Sequence, residues 1–175
     1  YETYYDRECA DKRATGNFNL NWEIVDGLTA TAQYAMHDYN YRGSYYARGE
    51  VDGYPNLISQ TRSTTETRTQ TVRDTFTAHL AFNRTFADKH TVGATLGYEL
   101  MSQRYWYLTS NSTGSASDDV PILDSGINFK ASNKDEKQAL MSLFGRVSYD
   151  FAQKYIVSAT FRYDGSSKFA KGNQW

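Results

Sequence analysis

The stretch from Lys137 to Phe169, KQALMSLFGRVSYDFAQKYIVSATFRYDGSSKF, decides how the rest of the chain is read. It holds two alternating runs joined by Ala152, Gln153 and Lys154. On the return run Tyr155, Val157, Ala159, Phe161 and Tyr163 fall on one side; Ser158, Thr160, Arg162 and Asp164 fall on the other. Successive side chains of a strand point to opposite faces, so one face is apolar and the other wet. Two such runs across a minimal connection predict a β-hairpin.

Working outward, the same alternation recurs. Phe18, Leu20, Trp22 and Ile24 alternate with Asn17, Asn19, Asn21 and Glu23. A turn at Val25, Asp26 and Gly27 follows, with residues that tolerate positive φ. Leu28, Ala30, Ala32, Tyr34 and Met36 then face away from Thr29, Thr31, Gln33 and His37, in a strand that reaches toward Tyr41. Residues 59–75 are polar on both faces and read as a third strand projecting above a membrane, turning amphipathic at Phe76, Ala78, Leu80 and Phe82. After a turn at Ala87–His90, a fourth strand sets Val92, Ala94, Leu96, Tyr98 and Leu100 against Gly93, Thr95, Gly97 and Glu99. Tyr1–Arg13 is expected to be the end of a loop. A long polar loop is expected from Ser110 through Asp119 and on to Glu136.

This gives about six strands in three hairpins, with connections alternating short and long. Outer-membrane barrels are built this way, with short periplasmic turns and longer extracellular loops. Trp22, Phe86, Tyr149 and Tyr155 lie near the short turns, while Tyr34, Tyr98, Phe161 and Tyr163 lie farther along their strands. At ~3.3 Å per residue the two sets are roughly 20–26 Å apart along the strand, a little short of the ~25 Å apolar band between aromatic girdles once tilt is allowed for. Arg84 falls on the apolar face beside a turn, where it can snorkel. A soluble β-sandwich alternates in the same way; loop alternation and the girdles favour the barrel.

The totals exclude other classes. Net charge is -1, which offers no electrostatic case for nucleic acid. The single Cys9 excludes an internal disulfide and a cysteine metal cluster. Mean hydropathy is -0.70, and no apolar run approaches the ~20 residues of a membrane-crossing helix. A barrel strand needs only about 10 alternating residues. Tyrosine stands out, with 15 copies against two prolines. The chain opens at Tyr1 and stops at Trp175 soon after a strand, so a piece of a longer protein is expected.

The opening stretch closely resembles a barrel segment of SusC/RagA-type TonB-dependent outer-membrane transporters. Phe144, Gly145, Arg146, Tyr149, Lys154, Tyr155, Ala159, Thr160, Arg162, Asp164, Gly165, Ser166, Ser167 and Phe169 carry the match. Phe86, Lys89, His90, Gly97, Tyr98 and Glu99 add a looser one. The resemblance implies that residues 1–175 are part of the barrel of a TonB-dependent receptor, all-β and antiparallel, within a plugged barrel of about 22 strands. It implies a Gram-negative outer membrane, contact with its lipid, and a SusD-like surface lipoprotein as lid. It also implies import of glycans or oligopeptides, powered by TonB through a plug that this sequence does not contain. Competing readings are a soluble β-sandwich acting as a glycan-binding module or adhesin, and a passive porin.

No catalytic constellation, cofactor site or metal site is expected. His37, His79 and His90 lack metal-motif spacing. Gly93 and Gly97 read as close-packing positions within a strand, and Gly114–Ser117 is no nucleophile elbow. Asp118, Asp119 and Asp124 suit calcium chemically, but an acidic loop is more often solvated. Asn111-Ser112-Thr113 matches a glycosylation sequon, of little meaning in a bacterial protein. Two aromatic groups are candidates for ligand or partner contact: Tyr45, Tyr46 and Tyr54 with Arg48, and Tyr105, Trp106 and Tyr107. Aromatic faces stack on sugars and peptides; the alternative is that they pack on one another and stiffen the loops. Arg162, Asp164, Gly165, Ser166 and Ser167 form a signature expected to be structural, with Arg162 and Asp164 paired and Gly165 allowing a bend.

Overall fold

A computed structural model of the chain describes residues 5–51, 54–58 and 61–169. Six long strands form one antiparallel meander: β1 (Tyr5–Val25), β2 (Leu28–Ala47), β5 (Ser63–Phe86), β6 (His90–Thr113), β7 (Asn128–Phe151) and β8 (Tyr155–Ser166), side by side in that order. A small hairpin of β3 (Glu50–Val51) and β4 (Tyr54–Ile58) lies in the connection between β2 and β5. No helix among the described residues is long and apolar enough to cross a membrane, which says nothing about strands.

The short connections have a local cause. Gly27 takes φ +80° after Asp26, and the pairs Ala87/Asp88 and Ala152/Gln153 take φ between +48° and +58°. Two successive left-handed residues make the turn whose twist matches a hairpin. The second such turn is closed by Lys154 N–H donating to the Phe151 carbonyl at 3.0 Å, and Gln153 N–H donates to Asp150 Oδ1 at 2.8 Å.

The register of β7 with β8 keeps faces together. Leu143 pairs with Tyr163, Gly145 with Phe161, Val147 with Ala159 and Tyr149 with Val157. Between them Ser142 pairs with Asp164, Phe144 with Arg162 and Ser148 with Ser158. A shift of one residue would exchange the two faces.

The chain resolves into two compact units, each taken by itself. One comprises Tyr1–Ala14, Asp38–Val72 and Arg104–Glu136; the other comprises Thr15–His37, Arg73–Gln103 and Lys137–Trp175. The second unit carries the alternating stretches, and its apolar face is exposed, with Leu20 55%, Leu96 53% and Val157 67% accessible. A groove of about 390 Å³ runs over this face between Leu20, Trp22, Ala30, Leu80, Leu96 and Leu143. The first unit holds the long connections and strand segments that are polar on both sides.

Four expectations about boundaries are corrected, all in the first unit. The third strand, expected from residue 59, begins at Ser63, with 59–60 outside the described residues. Residues 5–13 are strand, not loop. β2 continues past Tyr41 to Ala47. Between Ser110 and Glu136 only 114–127 lie outside the strands, with a single 3-10 turn at Leu123–Ser125, because β6 runs to Thr113 and β7 starts at Asn128. Strand segments that meet water on both faces have no apolar period to betray them.

Candidate functional site

In the first unit the irregular segment 114–127 is held by hydrogen bonds. Gly114 turns with φ +86°, and its N–H donates to the Arg62 carbonyl at 3.1 Å. Ile127 N–H donates to the Thr113 carbonyl at 2.9 Å, closing the segment on itself. Thr64 is buried and its hydroxyl donates to the Ile122 carbonyl at 3.3 Å. Asn111 Nδ2 donates to the Thr64 carbonyl and to Thr65 Oγ1 at 3.2 and 2.9 Å.

Asp118 is the centre of this arrangement. Its Oδ1 accepts from the Tyr46 hydroxyl at 2.8 Å and from Gly49 N–H at 3.0 Å, and it lies 3.1 Å from Arg62 Nε. Tyr46 is only 2% exposed. Burial, then the bond to the Asp118 carboxylate, pushes its phenol up to about 12. A carboxylate already neutralised by Arg62 is poorly placed to serve a dication. Among the described residues no three acidic, histidine or cysteine side chains gather as a metal set.

The other sequence candidates are spread around this core. Tyr45 stacks on Tyr5 with centroids 5.1 Å apart. Arg48 makes a two-pronged bond to Asp6, at 3.0 and 3.1 Å. Tyr54 belongs to β4, and its side chain lies outside the described residues. Tyr105 and Tyr107 occupy one face of β6 and Trp106 the other, all partly exposed. Trp106 lines two depressions. One, of about 490 Å³, is shared with Lys12, Arg42, Arg68 and Gln70; the other, of about 330 Å³, is shared with Gln70, Val72 and Arg104. Sequence reading missed Lys12, Arg42 and Arg68. Nothing in the sequence groups them, because strand pairing alone brings them together.

In the second unit Arg162 gathers three strands. Its guanidinium donates to Asp164 Oδ1 at 2.8 Å, to Glu99 Oε1 at 2.9 Å and to Ser142 Oγ at 2.9 Å, and it lies 6.0 Å from the Phe144 ring centroid. Gly165 pairs with Met141 as an ordinary ladder residue, and β8 runs on to Ser166. Ser167 binds Ala139 twice: its N–H donates to the Ala139 carbonyl at 3.0 Å, and its Oγ accepts from Ala139 N–H at 2.8 Å. Ser166 Oγ accepts from Lys168 N–H at 3.3 Å.

Two glycines of this unit receive aromatic rings. A Cβ on Gly97 would collide with Phe144 Cζ and Cε2, and one on Gly145 would collide with Phe161. His90 meets the Tyr149 hydroxyl at 2.7 Å through Nδ1. Arg84 lies 5.7 Å from the Phe86 ring centroid, a cation–π contact at the turn.

No protein-family model matches the chain. Individual relatives do. The chain is 35% identical to TonB-dependent receptor P39 of Formosa agariphila over 99 residues, which are 54% of this chain and 9% of that protein. It is 24% identical to TonB-dependent receptor P3 of the same organism across 99% of its own length and 17% of that protein's. Against TonB-dependent receptor SusC of Bacteroides thetaiotaomicron it is 44% identical over 39 residues, 22% of this chain and 4% of that one. Among solved structures, the RagAB peptide transporter superposes with a TM-score of 0.88 and 22% identity, over 98% of this chain and 19% of that chain. The named relatives and the solved structures together support a SusC/RagA-type TonB-dependent transporter fragment. The chain spans less than a fifth of each of these proteins. The six-stranded meander has the fold of the matching stretch of the RagAB structure.

Proposed function

We propose that residues 1–175 form part of the barrel of an outer-membrane active transporter that imports large nutrients, glycans or oligopeptides, without bond chemistry of its own. In this reading a SusD-like lipoprotein closes the outer opening, and TonB supplies inner-membrane energy through a plug carried by chain beyond this segment. The observation that carries the proposal is the second unit's face of exposed large apolar residues, on a sheet with two-face alternation. Contiguous apolar patches beyond a few hundred Å² mark a membrane or protein contact. In a soluble β-sandwich that face would be covered by a second sheet. Among the described residues the only other sheet is the short β3–β4 hairpin. The RagAB structure is that of a peptide transporter; glycans stay in the proposal because the sequence resemblance implies them, and neither transfers to this chain without a test.

The test is purification of the native protein from its source membranes in detergent, with intact mass and identification of co-purifying chains. A membrane-extracted species near a thousand residues with a bound surface lipoprotein supports the reading. A water-soluble protein of about 175 residues overturns it and leaves a binding module. A membrane barrel without plug or lipoprotein replaces it with a passive porin.

A further inference from the structure

The depression beside Trp106 gathers three cations for which the described residues offer no ion pair. Arg48 is paired with Asp6, Arg62 with Asp118, Arg104 with Asp135, Arg13 with Asp11 and Lys134 with Glu136. Lys12, Arg42 and Arg68 have no such partner among the described residues, yet they come from three different strands to line one depression of about 490 Å³. No carboxylate lines it. Of the acids nearby, Asp38 accepts from Asn40 and Gln70 at 2.9 and 3.3 Å, and Glu66 shares the Arg68 face of β5 two residues away.

Three unpaired cations repel one another across a shared hollow. All three are exposed, so water and salt screen much of that repulsion, and an anion held in the hollow would relieve the rest. Arginine suits oxyanions because its planar fork donates two parallel bonds. Trp106 adds an aromatic face of the kind that stacks on a sugar ring, and it also walls the adjoining depression with Gln70 and Arg104. We infer that this depression binds an anionic carbohydrate, with Arg42, Arg68 and Lys12 taking its sulfate, phosphate or carboxylate groups and Trp106 packing against the ring. Two sources share that chemistry: the phosphorylated sugars of an outer-leaflet glycolipid and a free acidic polysaccharide. The site does not rest on the transport reading.

The test uses the full-length protein in detergent at about 150 mM salt. The probes are dextran sulfate, polygalacturonate, neutral dextran, and lipopolysaccharide in nanodiscs. Binding of at least one anionic probe is expected, with neutral dextran inert. The double variant R42Q/R68Q is expected to weaken it tenfold or more, and K130Q, an exposed cation away from the depression, twofold or less. On the unaltered protein the bound probe should shield Arg42 and Arg68 from phenylglyoxal, read by peptide mass, which keeps the test independent of how the variants fold. Preference for lipopolysaccharide assigns the glycolipid; preference for a soluble polymer assigns a free glycan. No binding of any anionic probe, binding unaffected by R42Q/R68Q, or no shielding of the two arginines overturns the site.

Discussion

Removing Asp118 is predicted to release segment 114–127 while leaving the second unit's strands intact. The side chains of Asp118 and Arg62 are 17% and 14% exposed, so Asp118→Ala takes a carboxylate away from a mostly buried guanidinium. Breaking one side of a buried ion pair costs about 3–5 kcal/mol. Tyr46→Phe removes one bond to a charged acceptor, worth about 1.5–3 kcal/mol. At about 1.4 kcal/mol per tenfold, Tyr46→Phe should speed amide exchange in 114–127 by roughly 10- to 100-fold. Asp118→Ala should speed it further, up to the limit set by the segment's own opening. Asp118→Asn keeps an acceptor for Tyr46 and Gly49 and loses only the charge, so it should fall between the unaltered protein and the alanine variant. The assay is hydrogen–deuterium exchange with mass readout, using the Ala152–Lys154 turn as an internal reference. Exchange within threefold of the unaltered protein for both Asp118→Ala and Tyr46→Phe would refute the reasoning. Equal acceleration at the reference turn would also refute it, since the effect would then be global.

The raised phenol gives a pH signature. Below pH ~10 Tyr46 is protonated folded or unfolded. Between about 10 and 12 the unfolded chain releases the proton first, so the unit should lose up to about 3 kcal/mol as pH rises and level off above the folded value; Tyr46→Phe should lack that slope in an alkaline unfolding series. Gly97→Ala should destabilise the sheet by about 1–3 kcal/mol through overpacking against Phe144, and adding Phe144→Ala should recover part of that loss in heat-shifted gel migration. Gln153→Gly should stabilise the β7–β8 turn by roughly 1 kcal/mol, because φ +57° carries a steric penalty that glycine escapes; no gain in the urea midpoint would count against a left-handed residue there.

The legible part of the fold was the part with two different faces. Leu20, Trp22 and Ile24 announce a strand because water and apolar surroundings divide its sides. Asn128–Glu136 announces nothing: Lys130, Ser132, Lys134 and Glu136 alternate with Phe129, Ala131, Asn133 and Asp135, mostly polar on both sides. Such a segment is strand because its neighbour supplies backbone partners, a fact absent from its own composition. The adjacent tyrosines 45 and 46 show the same limit for sites. In sequence they are one aromatic pair in a loop. In the structure one stacks on Tyr5 and the other is buried against Asp118, because neighbours on a strand face opposite ways. The Trp106 depression is harder still, since Lys12, Arg42 and Arg68 meet only through strand pairing.

The Arg162 signature was readable for the opposite reason: its constraints are short-range and pairwise. Arg162 can reach Glu99, Ser142 and Asp164 together only if β6, β7 and β8 are in one register. In that register Phe144 lies over Gly97 and Phe161 over Gly145. Ring-on-glycine contacts of this kind pin strands against slipping, and Ser167 fastens the end of the pairing to Ala139. Each of these positions admits few residue types, so the stretch keeps a recognisable spelling when the rest of a strand only has to alternate. The same reasoning predicts that Arg162→Met weakens pairing along β7–β8, while Arg162→Lys, which keeps the charge but not the fork, recovers only part of it. Amide exchange at Ala139–Gly145 is the readout. Full recovery by lysine would mean that charge alone, rather than the three-strand geometry, holds the register.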